Sequence, residues 1–202
     1  ALLLPGAFLP AAERYGLMPA IDRYVVQTAL AHFDQLHPAG KAVPMVAINL
    51  SGASVGDPVL IDQVLDWIQF YGVDPARVCF EITETVAASS LAIVVDFMQR
   101  LRAAGCSVAL DDFGAGMSSF TYLKHLPANV IKIDGSFVRD MRSDPVSRLM
   151  VRAVTDIGHQ LGHQVIAEWV PNLETAAELA ALGVNGLQGF ALHAPELALF
   201  QQ

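Results

Sequence analysis

The sequence predicts an α/β fold, a TIM-like (β/α)8 barrel to which this chain contributes six strand–helix units. Three observations predict it. Short apolar runs alternate with amphipathic stretches of helical period, the pattern of a parallel sheet covered by helices. Each apolar run ends in, or carries near its end, a residue able to do chemistry: Asn49, Glu81, Asp111 with Asp112, Lys132 with Asp134, Glu168 and Gln188. A closed barrel brings all strand ends to one mouth, whereas outer strands of an open sheet end far apart, and no Gly-rich dinucleotide turn follows the first run.

In chain order, the strand-like runs are 43–49, 77–82, 106–111, 130–134, 164–168 and 186–190. Between them, 57–71 repeats apolar residues at Leu60, Ile61, Val64, Leu65 and Ile68, a 3.6-residue period that leaves Trp67 on the polar side. The stretch 90–104 does the same and stops at Gly105, a residue suited to a helix C-cap. Asp144-Pro145 opens another helix, with Pro in its first turn. A further helix covers 172–182 and ends at Gly183, and 20–36 also reads as helical. The opening ALLLPGAFLP is apolar but lacks a basic n-region and is broken by Pro5 and Gly6, so it is not read as a signal peptide. A barrel of this kind has eight strands and six are found. Residues 1–202 therefore read as one domain, incomplete at its N-terminus, with the first two strands missing.

Composition narrows the function. A net charge of −8 argues against a duplex nucleic-acid binder, which needs a basic stripe to release counterions. It leaves room for a nucleotide substrate, because bound cations reverse the local sign. No stretch reaches the roughly 20 apolar residues of a membrane span, and the chain reads as cytoplasmic. Cys79 and Cys106 lie in apolar runs without metal-type spacing and read as buried thiols.

Glu81, Asp111, Asp112 and Glu168, converging with Asn49, would repel strongly unless their pKa values rise or a cation sits among them. Oxygen-only donors suit Mg²⁺ or Mn²⁺, and a turn that aims both adjacent aspartates inward would let one bridge two ions about 3.5–4 Å apart. Lys132 lies inside an apolar strand and needs a buried partner, Asp134 or another barrel acid. Facing inward, it would orient the attacking water or stabilise a phosphate. Residues 112–119, with Gly114 and Ser118, read as a βα turn that either gates the site or only connects.

At these residues the chain resembles the EAL-domain cyclic di-GMP phosphodiesterases. The similarity rests on Ile48-Asn49-Leu50-Ser51, Glu81-Ile82-Thr83-Glu84, Asp111-Asp112-Phe113-Gly114-Ala115-Gly116 with Ser118-Ser119, Lys132-Ile133-Asp134-Gly135-Ser136-Phe137 and Gln188-Gly189-Phe190. The resemblance implies a barrel of the EAL type that hydrolyses cyclic di-GMP to pGpG. It implies Asn49, Glu81, Asp111, Asp112 and Glu168 as ligands to one or two Mg²⁺ or Mn²⁺ ions, and Lys132 acting with Glu168 on water or phosphate. It also implies Glu84 anchoring the loop after Asp112, Gln188 holding the site from the last strand, a homodimer, and GGDEF or sensor domains on the same polypeptide. Two departures stand out. The Glu-Ala-Leu strand is absent from the chain. Where the family reads AEGVE, this chain reads Ala167-Glu168-Trp169-Val170-Pro171, which favours the alternative of a catalytically degenerate cyclic di-GMP receptor or interaction module.

Overall fold

A computed structural model of the chain describes residues 4–36, 44–89, 91–115 and 123–194. Six strands, β1 (Val46–Asn49), β2 (Val78–Thr83), β3 (Ser107–Phe113), β4 (Val130–Ile133), β5 (Gln164–Ala167) and β6 (Gly186–Leu187), form one sheet in chain order. All neighbouring pairs are parallel. Helices α1 (Pro5–Arg14), α2 (Met18–Ala31), α3 (Gly52–Val55), α4 (Pro58–Tyr71), α5 (Glu84–Ser89), α6 (Leu91–Ala103), α7 (Gly135–Asp140), α8 (Pro145–Gln160) and α9 (Leu173–Ala181) complete the described elements. This is a parallel α/β half-barrel.

The helix ends follow their local chemistry. Asp57, Asp144 and Asn172 each accept a hydrogen bond from the first turn they precede, satisfying donors that have no partner within the helix. Helix α4 ends at Gly72 in the left-handed conformation, φ 64°.

Strand side chains alternate between two environments, as the two-residue period demands. Ile48, Phe80, Ile82, Leu110, Ile131 and Val165 face the helix layer and join one continuous core with residues such as Leu60, Val64, Met98 and Val154. Cys79, Ala109 and Val130, with Ile166 against them, form a separate small apolar cluster on the other face. Two residues further along each of those strands stand Glu81, Asp111, Lys132 and Glu168. The lumen thus has a small apolar layer with an ionic layer directly above it, the stacked arrangement of barrel interiors.

At the N-terminal end of the sheet, two asparagines do matching jobs. Asn129, just before β4, accepts from the Val108 N–H at 3.0 Å through its side chain, and its own N–H donates to the Val108 carbonyl. Asn185, just before β6, makes the same pair of bonds to Val165.

Three local differences from the sequence reading have physical reasons. Residues 5–14 form a helix rather than a broken segment, because Pro5 stands in the first turn, where its missing N–H costs nothing. Trp67 is half-buried against the core instead of lying on a polar face, because α4 packs against both α2 and α6. Helix 90–104 is preceded by the separate helix α5, which starts at Glu84 directly from β2.

Candidate metal centre and active site

The strand tips gather most of the residues named from the sequence. Lys132 on β4 is buried, and its Nζ lies 2.7 Å from Glu81 Oε2, 2.7 Å from Glu168 Oε1 and 3.1 Å from Asp111 Oδ1. Asn49 hydrogen-bonds to Glu81 from the neighbouring strand, where the two residues are register partners. Carboxylate oxygens of Asp111, Asp112 and Glu168 all lie within 4.8 Å of one another. Of the partners expected for Lys132, Asp134 or another barrel acid, the structure supplies the second: Glu81, Asp111 and Glu168. Asp134 instead caps α7, accepting from the Ser136 N–H at 2.8 Å.

A β-bulge explains how two consecutive aspartates serve one site. Between β3 and β4 the register runs from Leu110 opposite Ile131 to Phe113 opposite Ile133, so β3 carries one extra residue in that interval. The bulge lets Asp112 turn toward the carboxylates instead of into the helix layer, at a backbone φ of 53°. Aspartate tolerates this left-handed region better than most residues. Phe113 then returns to the core, fully buried.

The electrostatics show what the protein does not neutralise by itself. Burial raises Glu81 above its ordinary range, with Lys132 opposing. Burial pushes Glu168 up to about 7, again against Lys132 and with Asp111 adding to the rise. Asp112 is raised by burial and then by the charges of Asp111 and Asp134. Burial alone would lower Lys132, yet Glu81, Glu168 and Asp111 hold it above its usual value. One ammonium shared among three carboxylates gives each only part of a countercharge, so burial wins at Glu81 and Glu168 while the lysine remains charged. A divalent cation is the natural remaining partner. The donors are all carboxylate or amide oxygens, which fits a hard ion such as Mg²⁺ or Mn²⁺.

The surroundings position this cluster. Glu84, buried at the start of α5, accepts from the Gly114 N–H at 2.9 Å, tying the segment after the bulge to β2. Ser118 lies outside the described residues. Gln188 is exposed, just beyond the end of β6. It lines a neighbouring cleft of ≈ 290 Å³ with Trp169, Gly189, Phe190 and His193. Its carbonyl accepts from the Val170 N–H, a close approach that depends on Gly189, where a Cβ would fall 2.3 Å from the Val170 nitrogen.

Sequence reasoning missed Asp22. It is buried on α2 and accepts from the Ser51 N–H at 2.9 Å and the Ser54 hydroxyl at 2.5 Å, fixing the chain just beyond Asn49. Its partners lie 29 and 32 residues away, and nothing local marks it. Trp169 was noticed, but not its conformation: φ is 54°, which for a bulky residue costs on the order of 1–2 kcal/mol.

A layer of oxygen ligands around one lysine, at the C-terminal tips of parallel strands, defines an α/β-barrel domain with its chemistry at the mouth. The chain belongs to the EAL domain family, whose model matches residues 1–195. It is 35% identical over 195 residues to the cyclic di-GMP phosphodiesterase PdeB of Shewanella oneidensis, covering 96% of this chain and 23% of that protein. Its structure is similar to that of the MucR phosphodiesterase of Pseudomonas aeruginosa in complex with c-di-GMP, with a TM-score of 0.90 and 33% identity over 98% of this chain and 80% of that one. It is also similar to a manganese and cyclic di-GMP complex of Klebsiella pneumoniae BlrP1, with a TM-score of 0.77 and 32% identity over 86% of this chain and 44% of that one. The chain spans between about a quarter and a third of the length of the curated relatives it matches, 23% to 33%.

Proposed function

We propose that residues 1–202 are the greater part of one EAL domain that hydrolyses cyclic di-GMP to linear pGpG with the help of Mg²⁺ or Mn²⁺. The observation that carries this reading is the convergence of Asp111, Asp112 and Glu168 within 4.8 Å beside a buried lysine. It is supported by relatives named cyclic di-GMP phosphodiesterases and by a similar structure that holds manganese and the dinucleotide.

In this reading Asn49, Glu81, Asp111, Asp112 and Glu168 hold one or two ions at the mouth. Such ions would lower the pKa of water and offset charge on the phosphodiester. Lys132 sits where it orients the attacking water or steadies a phosphate oxygen, and its contact with three acids fixes its ammonium in place. Glu168, whose Oε1 lies 2.7 Å from Lys132 Nζ, acts with that lysine on the water or the phosphate. Glu84 supports Asp112 through the Gly114 N–H, and the bulge keeps both aspartates on the site. A homodimer, GGDEF or sensor regions on the same polypeptide, and a cytoplasmic site of action belong to the same proposal. The MucR relative is itself named a bifunctional diguanylate cyclase/cyclic di-GMP phosphodiesterase.

The test is turnover by the full-length protein. Release of pGpG with Mg²⁺ or Mn²⁺, abolished by Glu168→Gln and by Lys132→Met, is expected. A second reading, a receptor that binds cyclic di-GMP without cleaving it, is favoured by Trp169 and Pro171 in the segment after Glu168. Tight binding of cyclic di-GMP with no turnover in either metal would establish that reading in place of the first.

A further inference from the structure

We propose that the indole of Trp169 is a stacking face for one nucleobase of the dinucleotide, and that it sets affinity rather than rate. The inference rests on the reading of the site as a cyclic di-GMP site.

Trp169 separates two buried residues, Glu168 and Val170, yet is itself 55% exposed. The left-handed backbone at this position turns the side chain out of the strand direction and across α7. A Cβ added at Gly135 would come within 2.4 Å of the indole Cγ and Cδ1, so the ring lies directly against the bare backbone of that glycine. The Arg139 guanidinium carbon stands 5.1 Å from the indole ring centre. Gly135 and Arg139 are four residues apart, hence on one face of α7, and both pack against the indole. Trp169 also lines the cleft formed with Gln188, Phe190 and His193, and Phe190 is 69% exposed there.

The size of this cleft decides what fits. At ≈ 290 Å³ it stands at the lower end of small-molecule pockets and has room for a single base. Its position suits one as well, because Trp169 directly follows Glu168, where the phosphodiester would be held. An aromatic face recognises a neutral base without adding positive charge. That matters in a chain of net charge −8, whose lysine at the mouth is already shared among three acids. An indole held rigidly by Gly135 and Arg139 also loses little freedom on binding.

The experiment measures cyclic di-GMP binding, turnover and intrinsic fluorescence in the full-length protein and in Trp169→Phe, Trp169→Leu and Trp169→Gly. The glycine variant suits the left-handed backbone, so its loop keeps its conformation while the ring is removed. Leu and Gly are expected to weaken binding and raise KM roughly tenfold, with the loss in KM rather than kcat. Phe, which retains an aromatic face, stays near wild type. The nucleotide quenches emission in the wild type, and Trp169→Phe removes that part of the quenching. Equal affinity in wild type, Leu and Gly would overturn the proposal, as would binding that leaves Trp169 emission unchanged. Equal losses in Phe, Leu and Gly alike would make Trp169 a packing residue and also overturn it. A wild type that neither binds nor cleaves cyclic di-GMP would instead remove the proposed function, and the inference with it.

Discussion

The two ends of the sheet are built on opposite terms. At the C-terminal tips stand a buried ammonium, three acids with raised pKa values, a bulge and the two non-glycine residues with positive φ among the described residues, Asp112 and Trp169. At the N-terminal end, neutral asparagine side chains complete the strand ladder: Asn129 clips β4 to β3 and Asn185 clips β6 to β5. The larger cavity, ≈ 500 Å³ and lined by Arg102, Asn129 and His163 among others, lies at this second end. Size therefore does not mark the site. The difference teaches that this fold concentrates unfavourable features where chemistry is done and satisfies its backbone at the opposite end, as expected when activity and stability occupy different faces of a barrel.

The largest effect expected at the C-terminal end comes from Lys132→Met. Removing one partner of a buried ion cluster leaves the others uncompensated, and the metal-free protein should lose about 3–5 kcal/mol of stability, measured by urea denaturation. Turnover should vanish. A loss below ~1 kcal/mol, the range of surface pairs, would mean that the three contacts at 2.7–3.1 Å do not hold in solution, and the contrast between the ends would weaken. Divalent ions should act in the opposite direction. Mn²⁺ at a hundred times its dissociation constant should stabilise the protein by about 2.7 kcal/mol, read as a rise in Tm. Asp111→Asn combined with Glu168→Gln should abolish that rise. A Tm indifferent to Mn²⁺ in the wild type would remove the metal from the account.

Much of the C-terminal end was legible because the strand period is two. Once Ile131 and Ile133 are assigned to the helix layer, Lys132 must face the lumen, and the same parity carries Glu81, Asp111 and Glu168 with it. The six strands and the helix starts near Asp57, Asp144 and Asn172 were legible for similarly local reasons. What was not legible depends on distant partners. Adjacent acids suggest a shared site, but the bulge that achieves it is visible only in the register between β3 and β4. Parity left Asp134 and the other barrel acids equally open as partners of Lys132, and it is the Ser136 N–H that claims Asp134 as a helix cap. Asp22 and Trp67 answer to neighbours across the helix layer, and a single helix read alone does not contain them.

The N-terminal end supplies the converse test. Asn129→Ala removes the acceptor for the Val108 N–H, and Val108 is fully buried. An orphaned buried donor costs about 2 kcal/mol, so the denaturation midpoint should fall while kcat and KM stay at their wild-type values. A change in kcat in a protein that remains folded would show that the two ends are coupled rather than separate.

The smallest effect is a difference of sign. His163, just before β5, is held below its ordinary 6.5 by burial and by the Arg102 charge, with a backbone bond to Ala128 acting the other way. The unfolded chain therefore takes up its proton first. The stability associated with neutral His163 is complete above pH 6.5 and declines as the pH falls from there through the lower folded value. Glu168 behaves oppositely. Its folded pKa of about 7 exceeds its ordinary 4.5, so the folded protein binds the extra proton, and the associated stability is present below pH 4.5 and lost as pH rises through 7. In metal-free buffer, subtracting the stability–pH curve of His163→Gln from that of the wild type should leave a difference that grows as pH falls below 6.5. The corresponding subtraction for Glu168→Gln should leave one that grows as pH rises from 4.5 toward 7. If both differences ran in the same direction, one end would have been assigned the wrong charge state. With Mn²⁺ bound, the Glu168 difference should collapse, because a ligand carboxylate is deprotonated throughout the window, while the His163 difference should persist.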